Sequence, residues 1–172
     1  MKYPAVNPDR HSNMLRSALA ATVLLLGAAT LHAQDATGSH EYSADGETTI
    51  ETINGLRVIT LRDNVFVRQN AVELTGNVAV LEYNLDNELQ KVTLTGTPAR
   101  FMQDAQDAAT AVSGYSDTIN YFAGAESVVE FIGTASFTQP GTSLLCAQIR
   151  HTIETGATSG QACSGSLSPQ TN

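Results

Sequence analysis

The amino-acid sequence predicts an all-β protein, and a sandwich, a barrel or a roll of short antiparallel strands would each fit it. The first observation is that apolar and polar residues alternate in short runs rich in Val, Leu, Phe and Tyr. The second is that Gly, Asn and Asp turn signals separate the runs at spacings of roughly 8 to 12 residues. The third is that no stretch of ten or more residues after Ala33 carries a helical apolar stripe. The runs are 65–67, 71–74, 78–81, 92–94, 119–121 and 129–131.

The N-terminal segment, residues 1–33, predicts a cleaved secretory signal peptide. Arg10 and Arg16 precede an apolar run at 18–29, and Leu31-His32-Ala33 follows it. The run is shorter than the ~20 residues that a membrane-spanning helix needs. Met14 is an alternative to Met1 as the start, since it leaves a shorter basic segment. We therefore expect an exported protein, with a folded domain at 34–155 and a tail at 156–172.

The net charge argues against one class of partner. The chain carries 9 basic and 17 acidic residues, a formal charge of −8. Removal of residues 1–33 leaves six basic and sixteen acidic residues, a charge of −10. Affinity for nucleic acid is built from Lys and Arg, so no nucleic-acid binding is expected.

Both cysteines, Cys146 and Cys163, follow the predicted cleavage point and would reach an oxidising compartment. A disulfide between them is expected, worth roughly 3 kcal/mol in the chain-entropy model. The alternative is two free thiols in a mobile tail. Residues 156–172 are rich in Ser, Gly and Thr, which predicts a flexible tail unless the disulfide holds it.

A short repeat supports a layered architecture. The segments 72–76, 92–96 and 129–133 share one pattern, in which two alternating apolar residues lead to a glycine. We interpret it as a recurring β-hairpin unit that ends in a glycine turn. Each unit would expose an apolar face, so several units must stack as sheet on sheet.

The sequence contains few residues that could support catalysis or bind a metal. His40 and His151 are the histidines that remain after signal removal, and no nucleophile or zinc motif is present. We expect no enzyme activity, no cofactor and no metal site. Asn84, Asp86 and Glu88 fit a solvated hairpin better than a weak calcium site. The alternatives left open are a polysaccharide-acting enzyme with paired carboxylates and a structural or adhesive β module.

Three segments carry a specific resemblance. They are 63–69, then 89–103 with its run Gly96-Thr97-Pro98-Ala99-Arg100-Phe101-Met102-Gln103, then Gly114 with Ile119-Asn120-Tyr121. Together they resemble the OstA-like (LptA) family of lipopolysaccharide-transport proteins, over residues 42–155. Asp63 stands where that family usually has Gly, and Tyr42-Ser43-Ala44-Asp45 resembles its first strand.

The resemblance implies a β-jellyroll, open at both ends, with a groove between its sheets for the acyl chains of lipid A. It implies a periplasmic bridge that carries lipopolysaccharide from the inner to the outer membrane. The implied partners are lipopolysaccharide, the inner-membrane-anchored and outer-membrane transport proteins with related rolls, and further copies of the chain joined head to tail. Lys91 and Arg100 are candidate phosphate contacts. The candidate lipid-binding residues are Tyr42, Val67, Val72, Leu74, Val92, Leu94, Phe101, Tyr121 and Phe131.

Overall fold

A computed structural model describes residues 40–103 and 111–168. The predicted signal peptide at 1–33 lies outside the described residues. In the described ranges no helix is long and apolar enough to cross a membrane. The strands are β1 (His40–Ser43), β2 (Thr48–Ile53), β3 (Leu56–Gln69), β4 (Val72–Tyr83), β5 (Leu89–Gln103), β6 (Val112–Phe122), β7 (Val128–Gln139), β8 (Thr142–Thr152), β9 (Thr158–Gln161) and β10 (Ser164–Leu167).

All strands belong to one antiparallel sheet in the order β1-β3-β4-β5-β6-β7-β8-β10. β2 also pairs with β3, and β9 also pairs with β8. The first and last strands of this order do not pair with each other, so the sheet stays open at both edges. The prediction of an all-β, open roll is confirmed.

Each of the six long strands is interrupted near its middle. The pairing register shifts there, so that one to four residues of a strand have no partner on the neighbouring strand. These irregularities lie side by side on adjacent strands and form a continuous bend across the sheet. The interrupted positions are Asp63-Asn64, Gly76-Asn77, Gly96-Thr97-Pro98, Ser116-Asp117, Gly133-Thr134 and Ala147.

The bend folds the sheet into two facing layers. Phe131 and Phe137 show this, because six residues of straight strand would separate them by about 20 Å, yet their ring centroids are 5.9 Å apart. Layer one contains β1, β10 and the strand segments 65–69, 72–75, 99–103, 112–115, 135–139 and 142–146. Layer two contains β2, β9 and the strand segments 56–62, 78–83, 89–95, 118–122, 128–132 and 148–152.

The interpretation of the repeat as a hairpin unit is wrong in one respect. Gly76, Gly96 and Gly133 lie at the bend inside long strands, and the chain continues along the same strand after each of them. Gly133 has φ +77°, a left-handed conformation that suits glycine. The repeated unit is therefore a strand half followed by a bend, which explains why the strands are longer than the apolar runs.

The bend also accounts for Asp63 and for the first strand. Asp63 and Asn64 have φ of 63° and 48°, and Asp and Asn tolerate this region better than other non-glycine residues. Opposite them, the backbone N–H of Asp45 donates to the Asp63 carbonyl at 2.8 Å. The N-terminal strand is thus split at the bend, with β1 in layer one and β2 in layer two.

The sequence predicts a flexible C-terminal tail unless a disulfide holds it, and the structure contains that disulfide. Cys146 and Cys163 form a disulfide, and the chain on either side of Cys163 pairs with β8 as β9 and β10. Gly160 makes this packing possible, because a Cβ there would lie 2.8 Å from the Cys146 Sγ. The cross-link fixes a weakly β-forming segment at the bend, which explains the ordered strands.

Candidate functional site

The space between the two layers is lined by apolar side chains from both. The sequence-predicted residues Val67, Val72, Leu74 and Phe101 come from layer one, and Val92, Leu94, Tyr121 and Phe131 come from layer two. All eight are buried in one cluster. Alternation explains the convergence, since every second residue of each strand half points inward.

Aromatic rings connect the layers across this space. Phe101 of layer one meets Phe131 of layer two edge to face, with ring centroids 5.6 Å apart. Gly114 leaves room for the Phe131 ring, because a Cβ at that position would lie 2.6 Å from its Cε1. In this closed state the layers pack directly against each other through side chains.

Both ends of the space expose apolar side chains, and one end also carries the disulfide. At the N-terminal edge, Tyr42 is 39% exposed and Ile50 is 62% exposed. Both share a face with inward residues, because Tyr42 pairs with Val67 and Ile50 pairs with Ile59. At the C-terminal edge, the disulfide packs against Gly160. Leu167 at this edge pairs with Thr142, on the face of the inward Leu144, and is 83% exposed. Apolar side chains are therefore exposed at both ends of the space.

One titratable side chain lies deep in the interior. His151 is 1% exposed, its Nδ1 is 2.9 Å from the Thr158 hydroxyl, and its ring is 4.8 Å from that of Phe137. Burial lowers the pKa of His151, and the nearby Glu154 carboxylate opposes this in part. The imidazole is thus held neutral between the layers.

Burial raises the pKa of Tyr121. A hydrogen bond from Ser127 acts against this shift, and the charge of Glu154 adds to it. The phenol stays protonated at neutral pH, which suits an apolar lining.

The polar residues at 84–88 form a hairpin turn. The Asn84 side-chain oxygen accepts from the backbone N–H of Asp86 at 3.0 Å and of Glu88 at 2.9 Å, and its amide donates to the Glu88 carboxylate at 2.8 Å. Within residues 40–103 and 111–168 no cluster of three or more His, Cys, Asp or Glu could hold a metal ion.

Comparison with known proteins agrees with this geometry. The sequence profile of a family described as LptA/(LptD N-terminal domain) LPS transport protein matches residues 44–157. The chain belongs to this lipopolysaccharide-transport family. The crystal structure of LptH from Pseudomonas aeruginosa, described as the LptA homologous periplasmic component of the conserved lipopolysaccharide transport device, matches with a TM-score of 0.67 and 23% identity. The match covers 77% of this chain and 96% of LptH, and at this identity it supports the fold. No curated protein sequence matches the chain.

The segment by which the chain resembles the lipopolysaccharide-transport family has a clear structural basis. Gly96-Thr97-Pro98 makes the bend of β5, where a Cβ on Gly96 would lie 2.8 Å from the Ala99 nitrogen. Ala99 and Phe101 then point inward and are buried, while Arg100 and Met102 face outward. The run thus encodes one bend and one inward-facing strand half.

The two candidate phosphate contacts lie outside the space between the layers. Lys91 is on the outer face, with Nζ 3.9 Å from Glu82 Oε1 and 5.6 Å from the Phe122 ring centroid. Arg100 lies on the outer face of layer one, beside a cavity of about 250 Å³ that Met102 and Tyr115 also line. Neither cation lies near the lipid-binding candidates. Lys91 and Arg100 are each next to an inward-facing residue of β5, and neighbouring side chains of a strand point to opposite faces.

Several interior residues were missing from the sequence-based set for this transport-family site. These residues follow the same alternation, as in Ser136-Phe137-Thr138. Which of the alternating residues face inward depends on how the strand halves pair, and the sequence does not show this pairing. For His151 and for the polar residues at the layer ends, the sequence carries no comparable signal. The missing residues include Ile59, Leu61, Leu81, Ile119, Phe137, Ile149 and His151.

Proposed function

We propose that this chain is a periplasmic, non-enzymatic carrier that binds the acyl chains of lipopolysaccharide between its two layers. It would pass lipopolysaccharide from the inner toward the outer membrane in head-to-tail assemblies. Membership of the lipopolysaccharide-transport family supports the cargo, and the predicted signal peptide supports export.

The apolar interior between two layers is the observation that carries the proposal. The contacts across it, such as Phe101–Phe131 and His40–Tyr83, are between side chains, whereas the strand ladders run within each layer. The layers can therefore part at their free ends while the bend and the ladders stay intact. Acyl chains would then replace the side-chain contacts that fill the closed state.

Charge does not supply the affinity in this mechanism. With a charge of −10 after signal removal, the protein repels an anionic lipid at long range. Binding must come from apolar burial, at roughly 25 cal/mol per Å² before ordering costs. Such contacts are graded and reversible, which suits a carrier that must release its cargo.

A matched pair of substitutions tests the groove. Phe101→Asp would place a carboxylate among acyl chains, which costs several kcal/mol, whereas Thr93→Asp puts the same charge on the outer face of layer two. Native mass spectrometry of the mature protein with lipopolysaccharide should show binding for wild type and Thr93→Asp and loss for Phe101→Asp. Equal binding by both variants would remove the groove assignment, and no binding by wild type would contradict the carrier function.

The open sheet edges support the proposed assembly. Among the residues that the structure describes, β1 pairs on one side with β3 and has no strand on its other side, and β10 likewise pairs only with β8. Unpaired backbone donors and acceptors are a template for strand addition. Light scattering should show association that grows with protein concentration and weakens when residues 40–43 are deleted. A strict monomer up to millimolar protein, without binding to a partner roll, would contradict head-to-tail stacking.

A further inference from the structure

Four buried side-chain atoms have no hydrogen-bond partner among the residues that the structure describes. They are His40 Nδ1, Gln69 Oε1, Tyr83 OH and Gln103 Oε1. A buried polar atom without a partner destabilises the folded protein, and native structures keep few of them. Their occurrence together at one place calls for a function.

All four residues lie at the free ends of the layers, opposite the bend. His40 pairs with Gln69 across β1 and β3, and Val72 separates Gln69 from Gln103 along the same row of layer one. Tyr83 comes from the facing layer, with its ring centroid 5.3 Å from that of His40. We call these four residues the polar rim.

The polar rim marks the boundary of the apolar interior. Two residues further along the same strands, toward the bend, stand the buried Val67, Leu81 and Phe101. A ligand that fills the interior with acyl chains would therefore place its first polar groups at the rim.

The rim atoms favour a ligand with hydrogen-bond donors. The two glutamine Oε1 atoms are acceptors, and His40 Nδ1 donates or accepts according to the tautomer of the ring. Tyr83 is 5% exposed, and burial together with the nearby Tyr42 raises its pKa to about 12. Its hydroxyl stays protonated and can both donate and accept. Hydroxyl and amide N–H groups match this set better than a phosphate, which offers acceptor oxygens.

We propose that the polar rim is a binding subsite for the hydroxyl and amide groups of an acylated amino sugar, at the point where its acyl chains enter the interior. This proposal rests on the proposed lipid-carrier function and adds recognition of the head of the lipid. Ligand binding would satisfy the atoms that the closed state leaves without partners.

Tyr83→Phe tests the subsite because it removes one hydroxyl and nothing else. Tyr115→Phe makes the same change on the outer face and serves as the matched control. Two probes are compared. Lipid A is an acylated amino sugar, whereas myristate has an acyl chain and no hydroxyl or amide. Tyr83→Phe should bind lipid A about three- to tenfold more weakly, the loss of one hydrogen bond, and bind myristate as wild type does. Its Tm should rise, since an unpartnered buried hydroxyl is gone. Tyr115→Phe should change neither binding nor Tm.

A second variant guards against a local rearrangement at Tyr83. Gln69→Leu removes a different rim acceptor and should show the same selective loss of lipid A binding. Unchanged lipid A binding in both variants, or an equal loss for lipid A and myristate, would overturn the subsite alone. A wild-type protein that binds neither probe would overturn the carrier function and the subsite together.

Discussion

The packing of Phe131 allows a quantitative test of the proposal that acyl chains can occupy the space between the layers. Its side chain is fully buried, and its ring contacts those of Phe101 and Phe137 at centroid distances of 5.6 and 5.9 Å. Truncation to alanine in a packed core costs about 3–5 kcal/mol, and we take about 4 kcal/mol. With a urea m-value of about 2 kcal/mol per M, the unfolding midpoint of Phe131→Ala should fall by about 2 M.

The same variant should recover stability when an acyl chain fills its cavity. Myristate should raise the urea midpoint of Phe131→Ala more than that of wild type, because binding to the folded state shifts the unfolding equilibrium. Phe122→Ala is the control, since Phe122 lies on the outer face beside Lys91, and its midpoint should shift by less than half as much. Equal losses at 122 and 131, or no differential recovery with myristate, would refute the idea of an interior shared by side chains and acyl chains.

Three further outcomes follow from the structure. Burial lowers the pKa of His151, so on acidification the imidazole of the unfolded chain is protonated before that of the folded protein. The unfolding free energy should therefore fall as pH drops below about 6.5. Urea unfolding should show a smaller fall between about pH 7.5 and about pH 5.5 in His151→Gln than in wild type, and an equal fall would contradict this. Thiol titration of denatured, unreduced protein should find no free thiol, and Cys163→Ser should speed hydrogen exchange at 158–167 and cost roughly 3 kcal/mol; two free thiols would exclude the disulfide. Lipid affinity should change little between about 0.05 M and about 0.5 M salt, because apolar burial carries it; a steep loss would point to ionic contacts.

The sequence predicts well which segments form strands, because the pattern that identifies a strand is local. Alternation in runs such as 92–94 identifies strands and their inward residues, and the motif at 96–103 predicts the family. Where a strand ends and where it only bends is harder to predict from the sequence. Glycine at 76, 96 or 133 marks a change of direction, but a hairpin turn and a bend within one strand have the same local signal. The row of register shifts across adjacent strands decides between them.

The strands of the C-terminal segment follow only conditionally from the sequence, and the polar rim does not follow from it at all. Residues 158–167 have poor strand propensity, and their order depends on a pairing between Cys146 and Cys163 that two cysteines alone do not establish. Gln69 and Gln103 look like ordinary strand-end residues in the sequence. Only the fold places them, with His40 and Tyr83, at the boundary of a shared interior.

Site-specific photo-crosslinking in cells that export lipopolysaccharide tests the central claim most directly. A crosslinker at position 101 or 121 would lie between the layers, where Phe101 and Tyr121 are buried, and one at position 93 would lie on the outer face. The account predicts capture of lipopolysaccharide at 101 and 121 and none at 93. Equal capture at all three positions, or none at 101 and 121, would contradict it and assign these aromatic residues to an ordinary core.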